Sequence, residues 1–186
     1  LGSWLVAWDA PGINQPSSVK YSEHDLFRVY STDNGATWSS VTPLNVNAGS
    51  DASIDSMLSV SAGTVGSFLA GWAYFERPGS SPSGIYFARS FDAGNTWSVP
   101  ELISPPNPDG YYRRDPVLAS SGDGRLMAAW LARGDYPSTD AYLEYAFSSD
   151  TGDSWTIVAF PDVDSPEVQF APTLSFIEPG RWAAAW

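Results

Sequence analysis

The chain has 186 residues, of which 43% are hydrophobic and 16% charged, and its 21 acidic against 9 basic side chains give a formal net charge of −12. This acidic balance argues against nucleic acid or an anionic membrane as a partner, because both require a basic footprint. No apolar run approaches the roughly 20 residues of a membrane-spanning helix, and the absence of cysteine excludes disulfides and thiolate metal sites.

Short apolar runs follow one another along the chain, and none shows a sustained helical period. Nine each of Trp, Tyr and Phe favour strands over helices. The best-defined unit has four such runs, which we name a, b, c and d: 56–62, 67–74, 84–90 and 97–104. Read from the N-terminus, the runs predict the order b-c-d, a-b-c-d, a-b-c-d, a-b.

Two markers repeat in phase with these runs. The first marks strand b and aligns without a gap: GSWLVAW (2–8), GSFLAGW (66–72), GRLMAAW (124–130) and GRWAAAW (180–186). The second marks strand a: IDSMLSV (54–60), RDPVLAS (114–120) and FAPTLSF (170–176). We align these last three letter by letter, which matches Asp55 with Asp115 and with Ala171. Markers in a fixed order indicate an internal repeat and predict a radial or solenoid array.

A third marker lies between strands c and d: STDNGATW (31–38), SFDAGNTW (90–97) and SSDTGDSW (148–155). Its glycine can supply the positive φ that a hairpin turn needs, and its Asp can accept hydrogen bonds from turn N–H groups. Its Trp is predicted to begin strand d and to cover the turn. The residues to which we assign this structural role are Ser31, Asp33, Gly35, Trp38, Ser90, Asp92, Gly94, Trp97, Ser148, Asp150, Gly152 and Trp155.

The S-x-D-x-G-x-[T/S]-W turn, phased with the strand b marker, resembles the Asp box, or BNR repeat, of the sialidase-type β-propellers over essentially the whole chain. The resemblance implies an all-β propeller of four-stranded antiparallel blades, with Asp boxes that lie away from the active site. The single partial propeller is expected to comprise 1–53 (b-c-d), 54–112 and 113–169 (full blades) and 170–186 (a-b). Because this set cannot close a ring, we expect further blades from a longer chain or from other copies of this chain.

Antiparallel connectivity places the long b–c and d–a loops on the face opposite these turns, where sites on rigid scaffolds are usually built. Arginine suits bidentate recognition of a carboxylate, and carboxylates on two inner strands could act as an acid/base pair. The catalytic candidates are Asp55, Tyr112, Arg113, Arg114 and Asp115. The substrate-binding candidates are Glu76, Arg77, Tyr111, Arg133 and Asp135. Structural Arg–Asp pairing at a strand end remains the alternative for the 110–116 cluster.

The resemblance implies a secreted protein, extracellular or periplasmic, that acts on or binds glycans, sialylated ones included, and that is a sialidase-type glycoside hydrolase if it is active. Such a site needs three arginines on the substrate carboxylate, an Asp acid/base and a Tyr nucleophile. The chain matches these residue types but lacks an R-I-P segment that would fix the set. The alternative is a non-catalytic Asp-box propeller that serves as a carbohydrate-binding, protein-binding or assembly scaffold. We expect no cofactor and no metal.

Overall fold

The structure is a computed structural model that describes residues 2–12, 23–48, 53–75, 83–105, 111–134, 141–159 and 171–186. These ranges are all-β: they contain no helix, and therefore none long and apolar enough to cross a membrane. The strands follow one another in the predicted order b-c-d, a-b-c-d, a-b-c-d, a-b, and we call the four groups units one to four.

The strand bounds are as follows. Unit one has β1 (Trp4–Pro11), β2 (His24–Ser31) and β3 (Thr42–Pro43). Unit two has β4 (Ile54–Ala62), β5 (Phe68–Phe75), β6 (Ser83–Ser90) and β7 (Glu101–Leu102). Unit three has β8 (Tyr111–Ser120), β9 (Leu126–Gly134), β10 (Ala141–Ser148) and β11 (Thr156–Ala159). Unit four has β12 (Thr173–Glu178) and β13 (Arg181–Ala185). Unit three thus begins at Tyr111, ahead of the boundary predicted at 113.

Neighbouring strands within each unit pair antiparallel, and units one and two join through one parallel bridge between His24 and Ile54. The register corrects the predicted alignment of the inner strands. Asp55 lies opposite Tyr74 and Arg113 opposite Ala132, at equivalent places relative to the strand b tryptophan. Asp55 therefore corresponds to Arg113, and the predicted match with Asp115 is wrong. The two segments match letter by letter in the sequence. The strand pairing, however, decides which residues are structurally equivalent.

Each inner strand is interrupted by a β-bulge at the same place. The register shifts between Ser56 and Ser59 in β4 and between Arg114 and Val117 in β8. The residues inside these bulges, Met57 and Asp115, are left-handed with φ of 56° and 53°. Left-handed backbone is less costly for Asp than for Met, since Gly adopts it routinely and Asn and Asp adopt it occasionally. The bulge is therefore a repeated element of the fold, because both complete units have it.

The core consists of apolar layers between successive units, as expected when both faces of a unit are covered. Trp72 belongs to the layer between units one and two, and Trp130 to the layer between units two and three. A third, smaller layer joins unit three to β12 through Leu131, Leu143 and the half-buried Leu174. Both tryptophans are almost fully buried, so the strand b marker supplies one large core residue to each of these two interfaces.

The repeated turn adopts the same hydrogen-bonded form three times. In its first copy the Ser31 hydroxyl donates to Asp33 Oδ1 over 2.7 Å and accepts from the Gly35 N–H over 2.9 Å. Asp33 also accepts from the Thr37 N–H and hydroxyl, at 2.9 and 2.6 Å. The copies at 90–97 and 148–155 repeat all four bonds within 0.2 Å of these lengths. The carboxylate thus ties the loop to itself, as predicted.

The glycines of the three turns have φ of 83°, 90° and 89°, as predicted, and the residue before each is left-handed too, which was not predicted. Two successive positive φ values are typical of a type I′ turn. The prediction that the tryptophan begins strand d is wrong for Trp38 and Trp97, because β3 and β7 begin only at Thr42 and Glu101. Instead, both indole N–H groups donate to the carbonyl of the turn glycine, at 3.1 and 3.2 Å.

Each repeated turn is hydrogen-bonded to the segment that leads into strand b of its own unit. The backbone N–H groups of Asn34, Ala93 and Thr151 donate to the carbonyls of the glycines that open the strand b marker, at 3.1, 2.8 and 2.8 Å. Those glycines are Gly2, Gly66 and Gly124. The two markers therefore keep the same phase in the sequence because they form one hydrogen-bonded structure at one end of each sheet. We call this end the turn face and the opposite end the loop face.

Candidate functional site

The candidate site lies at the loop-face end of unit three. There Tyr112 in β8 is the cross-strand partner of Arg133 in β9, and both side chains are exposed. Tyr111 begins β8, and its side chain is outside the described residues, as are Glu76, Arg77 and Asp135. The structure therefore brings one predicted catalytic residue beside one predicted substrate-binding residue.

Arg114 and Asp115 form an ion pair next to these two residues. The distance from Arg114 Nε to Asp115 Oδ2 is 2.9 Å, and the two side chains are 40% and 23% exposed. Asp115 occupies the left-handed position of the bulge, and bulges commonly re-aim side chains near sites. Among the predicted arginines within the described ranges, Arg114 and Arg133 are the ones that reach solvent.

Arg113 occupies a different environment from its neighbour, because it is fully buried. Its Nε and Nη2 donate to the two oxygens of Glu144, at 2.7 and 3.0 Å. Glu144 Oε2 also accepts from the Trp130 indole N–H over 2.7 Å. A bidentate pair of this kind matches the charge and the geometry of the guanidinium, and this favours a structural role for Arg113.

Asp55 is also buried, in the inner strand of unit two. Its Oδ1 accepts from the Trp72 indole N–H over 2.6 Å, and its Oδ2 accepts from the Asn45 side-chain amide over 2.9 Å. Asn45 in turn accepts from the Leu26 N–H over 3.1 Å. The network joins units one and two, so the structural alternative is also favoured for this carboxylate.

Sequence reasoning missed Glu144 and Asn45, which are partners of the buried Arg113 and Asp55. A signal for Glu144 was present, since it is a lone carboxylate inside the apolar run of strand c, YLEYAF (142–147). Charged residues are almost never fully buried unless they are paired. A lone acid in a core strand therefore predicts a buried cation, and that cation is Arg113 on the inner strand β8, on the far side of β9 from Glu144.

The carboxylates of the repeated turns lie on the turn face, opposite this site, and already accept several hydrogen bonds from their own turns. Hydrogen bonds from the Thr37 side chain, the Thr37 backbone and the Ser31 hydroxyl lower the pKa of Asp33 to about 2. The Ser154 side chain and backbone, with Ser148, do the same to the pKa of Asp150, again to about 2.

No group of three or more His, Asp or Glu that could hold a metal ion occurs within the described ranges.

The described residues form an all-β protein whose antiparallel units pack against one another, with a polar cluster at the loop face of unit three. No protein-family model matches the sequence, and no curated protein is similar to it. Solved structures, however, share its fold. A Hadza microbial sialidase is 23% identical with a TM-score of 0.56, over 83% of this chain and 34% of that one.

Two further solved structures come from named organisms. The Trypanosoma rangeli sialidase in complex with sialic acid is 18% identical with a TM-score of 0.56, over 84% of this chain and 28% of its own. The Penicillium chrysogenum alpha-L-arabinanase complexed with arabinobiose is 14% identical with a TM-score of 0.59, over 94% and 49%. The chain therefore spans between 28% and 49% of the length of these three proteins. At these identities the likeness shows a common fold.

Proposed function

We propose that the chain is part of a sialidase-like β-propeller glycosidase that acts on glycans at the loop face. The observation that supports this most is that the fold is shared, over most of the chain, with two sialidases and an arabinanase. In this proposal the three repeated turns are Asp boxes that hold the turn face together. We also propose secretion, on the resemblance alone.

The chemistry proposed for the loop face uses the exposed cluster of unit three. The guanidinium groups of Arg114 and Arg133 would hold the carboxylate of an acidic sugar, for which arginine's paired donors are well suited. Tyr112 and Asp115 would supply the phenolic nucleophile and the acid/base group of a sialidase-type retaining reaction. Arg113 would support the cluster from below through its buried pair with Glu144.

A second candidate function is a non-catalytic propeller that binds carbohydrate or protein. The observation in its favour is that Arg113 and Asp55, two of the predicted catalytic residues, are already engaged in buried structural networks. A surface of exposed Tyr and Arg without these two groups can bind a glycan but holds fewer of the groups that a hydrolase needs.

In the proposed ring, the strands that the last blade lacks would pack between unit three and the hairpin of unit four. Two cavities, of about 470 and 310 Å³, lie between β9–β11 and the β12–β13 hairpin, and aromatic residues such as Tyr145, Phe147 and Trp182 line them. Strands c and d of the last unit, from a longer chain or another copy, would fill these cavities. Light scattering of the purified chain tests the hypothesis that other copies supply these strands. That hypothesis requires an oligomer, and a stable monomer would contradict it.

The test of function compares two arginines at opposite ends of one strand. Arg133 lies near the loop-face end of β9, and Arg125 immediately precedes its turn-face end. Binding and hydrolysis of a sialoside should weaken at least tenfold in Arg133→Ala and in Arg114→Ala, and should be unchanged in Arg125→Ala. Binding without hydrolysis would support the second candidate. Equal effects of Arg125→Ala and Arg133→Ala would place the site elsewhere.

A further inference from the structure

Unit one has an outer apolar face that points away from unit two. Ala7 of β1 packs in the layer between units one and two, so its neighbour Val6 lies on the other side of the sheet. The strand b marker aligns Val6 with Ala70 and Ala128. Val6 is 49% exposed, whereas Ala70 and Ala128 are fully buried under the preceding unit. The same type of face is thus buried in units two and three and exposed in unit one.

The glycines of the repeated turns show the same difference. A Cβ on Gly94 would lie 3.2 Å from a side chain of unit one, and a Cβ on Gly152 would lie 2.6 Å from Phe87 of unit two. Each of these two turns therefore packs tightly on the preceding unit. A Cβ on Gly35 would meet only the tryptophan of its own turn, at 3.7 Å. Among the described residues, nothing packs on the turn of unit one in this way.

The contacts between strand c of one unit and the turn of the next are matched in polarity. Tyr30, the last residue before the serine that opens the turn, donates its hydroxyl to Asn95 Oδ1 over 2.8 Å. Arg89 has the equivalent position in unit two and forms an ion pair with Asp153. Asn95 and Asp153 also have equivalent positions, three residues after the Asp of their turns. A polar strand residue therefore meets a polar turn residue at both interfaces.

Unit three and the turn of unit one are matched at these same two positions, but by apolar residues. The strand position in unit three is Phe147, and the turn position in unit one is Ala36. Phe147 lines the cavity of about 470 Å³ beside unit three, and Ala36 is exposed. A large apolar side chain would thus meet a small one, so unit one of this same chain fits the exposed side of unit three.

We infer that unit one of a second copy packs on unit three of the first copy, where the next unit of the array would lie. The turn at 31–38 then covers Phe147, and the face around Val6 is buried as in units two and three. Two different surfaces meet, so the contact generates a ring or an open chain of copies. The inference rests on the proposed ring with strands from other copies and names the surfaces that meet, but it requires no glycosidase activity.

The second copy would take the place of β13 in unit four. β1 and β13 contain the same marker, GSWLVAW and GRWAAAW, so β1 of the second copy would lie beside β12. Within the described residues β13 pairs with β12 alone, and the cavities of about 470 and 310 Å³ separate it from unit three. The exchange breaks one two-stranded ladder, forms an equivalent one and fills both cavities.

The first test transfers the ion pair of units two and three to the inferred contact. Ala36→Asp and Phe147→Arg should each weaken self-association at least tenfold in sedimentation velocity, because each places a charge against an apolar residue. The double variant has opposite charges at the matched positions and should recover at least tenfold over either single variant. Val65→Asp is the control, because Val65 is fully exposed between β4 and β5, and it should associate as wild type. A monomeric wild type, or a double variant no better than the single ones, would overturn the inference.

The second test identifies the surfaces by cross-linking, for which the absence of cysteine from the chain is an advantage. Chains with Ala36→Cys and chains with Phe147→Cys are mixed and treated with a short bismaleimide. Mass spectrometry should find links between the two different positions at least tenfold more often than links between identical positions. A predominance of links between identical positions would indicate a symmetric contact and overturn the inference. Sialoside binding by Arg133→Ala is measured separately, and its outcome bears only on the proposed function.

Discussion

Units two and three place a buried tryptophan at the same position but supply its hydrogen-bond acceptor differently. Trp72 donates its indole N–H to Asp55 on strand a of its unit. Trp130 donates to Glu144, which comes from strand c, while the strand a position equivalent to Asp55 holds Arg113. In both units a carboxylate therefore accepts the indole hydrogen bond of the tryptophan, but the carboxylate comes from a different strand.

The difference changes the electrostatics of the two interfaces. In unit two the carboxylate has neutral donors, the Trp72 indole and the Asn45 amide. In unit three the strand a position holds a cation, and Glu144 serves as its counter-ion and as the indole acceptor at once. The indole N–H of the repeated tryptophan can thus donate to a carboxylate with neutral donors or to a carboxylate in an ion pair. Loss of the carboxylate should therefore lower the free energy of unfolding by different amounts in the two units.

The largest effect is expected for Glu144→Ala. The variant leaves the fully buried Arg113 without its counter-ion, and breaking a buried pair from one side typically costs about 3–5 kcal/mol. The free energy of unfolding, measured in urea, should fall by that amount. Glu178→Ala is the control, because its pair with Arg181 is exposed and such pairs contribute only about 0–1 kcal/mol.

The double variant Arg113→Met/Glu144→Leu separates the ion pair from simple packing. Apolar replacement of both partners of a buried pair is often close to neutral, so the double variant should be more stable than Glu144→Ala alone. If Glu144→Ala and Glu178→Ala cost the same, the buried pair does not stabilise the interface between the sheets as described.

A smaller effect is expected for Asp55→Ala. This change leaves two donors, on Trp72 and Asn45, without the acceptor that they now share, and an unsatisfied buried donor costs about 1–3 kcal/mol. Both of these donors are neutral, whereas Glu144→Ala leaves a buried charge as well as the Trp130 indole without its acceptor, so the loss should be less than for Glu144→Ala. Asp55→Asn, which keeps an oxygen at this place, should recover part of the loss. A larger loss in Asp55→Ala than in Glu144→Ala would reverse the comparison.

The same two units show what the sequence could and could not reveal. The strand order and the turn glycines were readable, because periodic apolar runs and a residue at positive φ are local properties. The partners of Arg113 and Asp55 were not read, because Glu144 lies on another strand and Asn45 on the segment that follows β3, and only the folded arrangement brings them close. The repeated letters made this harder, because their alignment differs by two residues from the register of the ladders, and Asp115 was therefore taken for the counterpart of Asp55.

The two bulges offer a third comparison. Met57 and Asp115 hold equivalent left-handed positions, but only Asp tolerates this conformation readily, and the cost for other side chains is about 1–2 kcal/mol. Met57→Asn should therefore raise the free energy of unfolding by about 1 kcal/mol, because Met57 is 39% exposed and loses little burial. The reciprocal change Asp115→Met should lower it. Destabilisation by Met57→Asn in thermal melts would contradict the assignment of strain to this residue.

The smallest effect concerns the turn face, where the carboxylates are exposed rather than buried. The pKa of Asp33 is lowered from 3.8 to about 2, first by the hydrogen bond from the Thr37 hydroxyl. A group whose pKa is lower when folded stabilises the fold above its unfolded pKa, and that contribution is lost as the pH falls from about 4 through about 2. Thr37→Val removes the hydroxyl and keeps the shape, so the pKa of Asp33 should rise toward 3.8 in a carboxyl ¹³C titration. The pKa of Asp150, held by Ser154 in a turn of the same form, should stay near 2 and serves as the internal control. If the Asp33 midpoint does not move in Thr37→Val, the Thr37 hydroxyl is not what holds this carboxylate in its charged form, and the Thr37 N–H and the Ser31 hydroxyl do so instead.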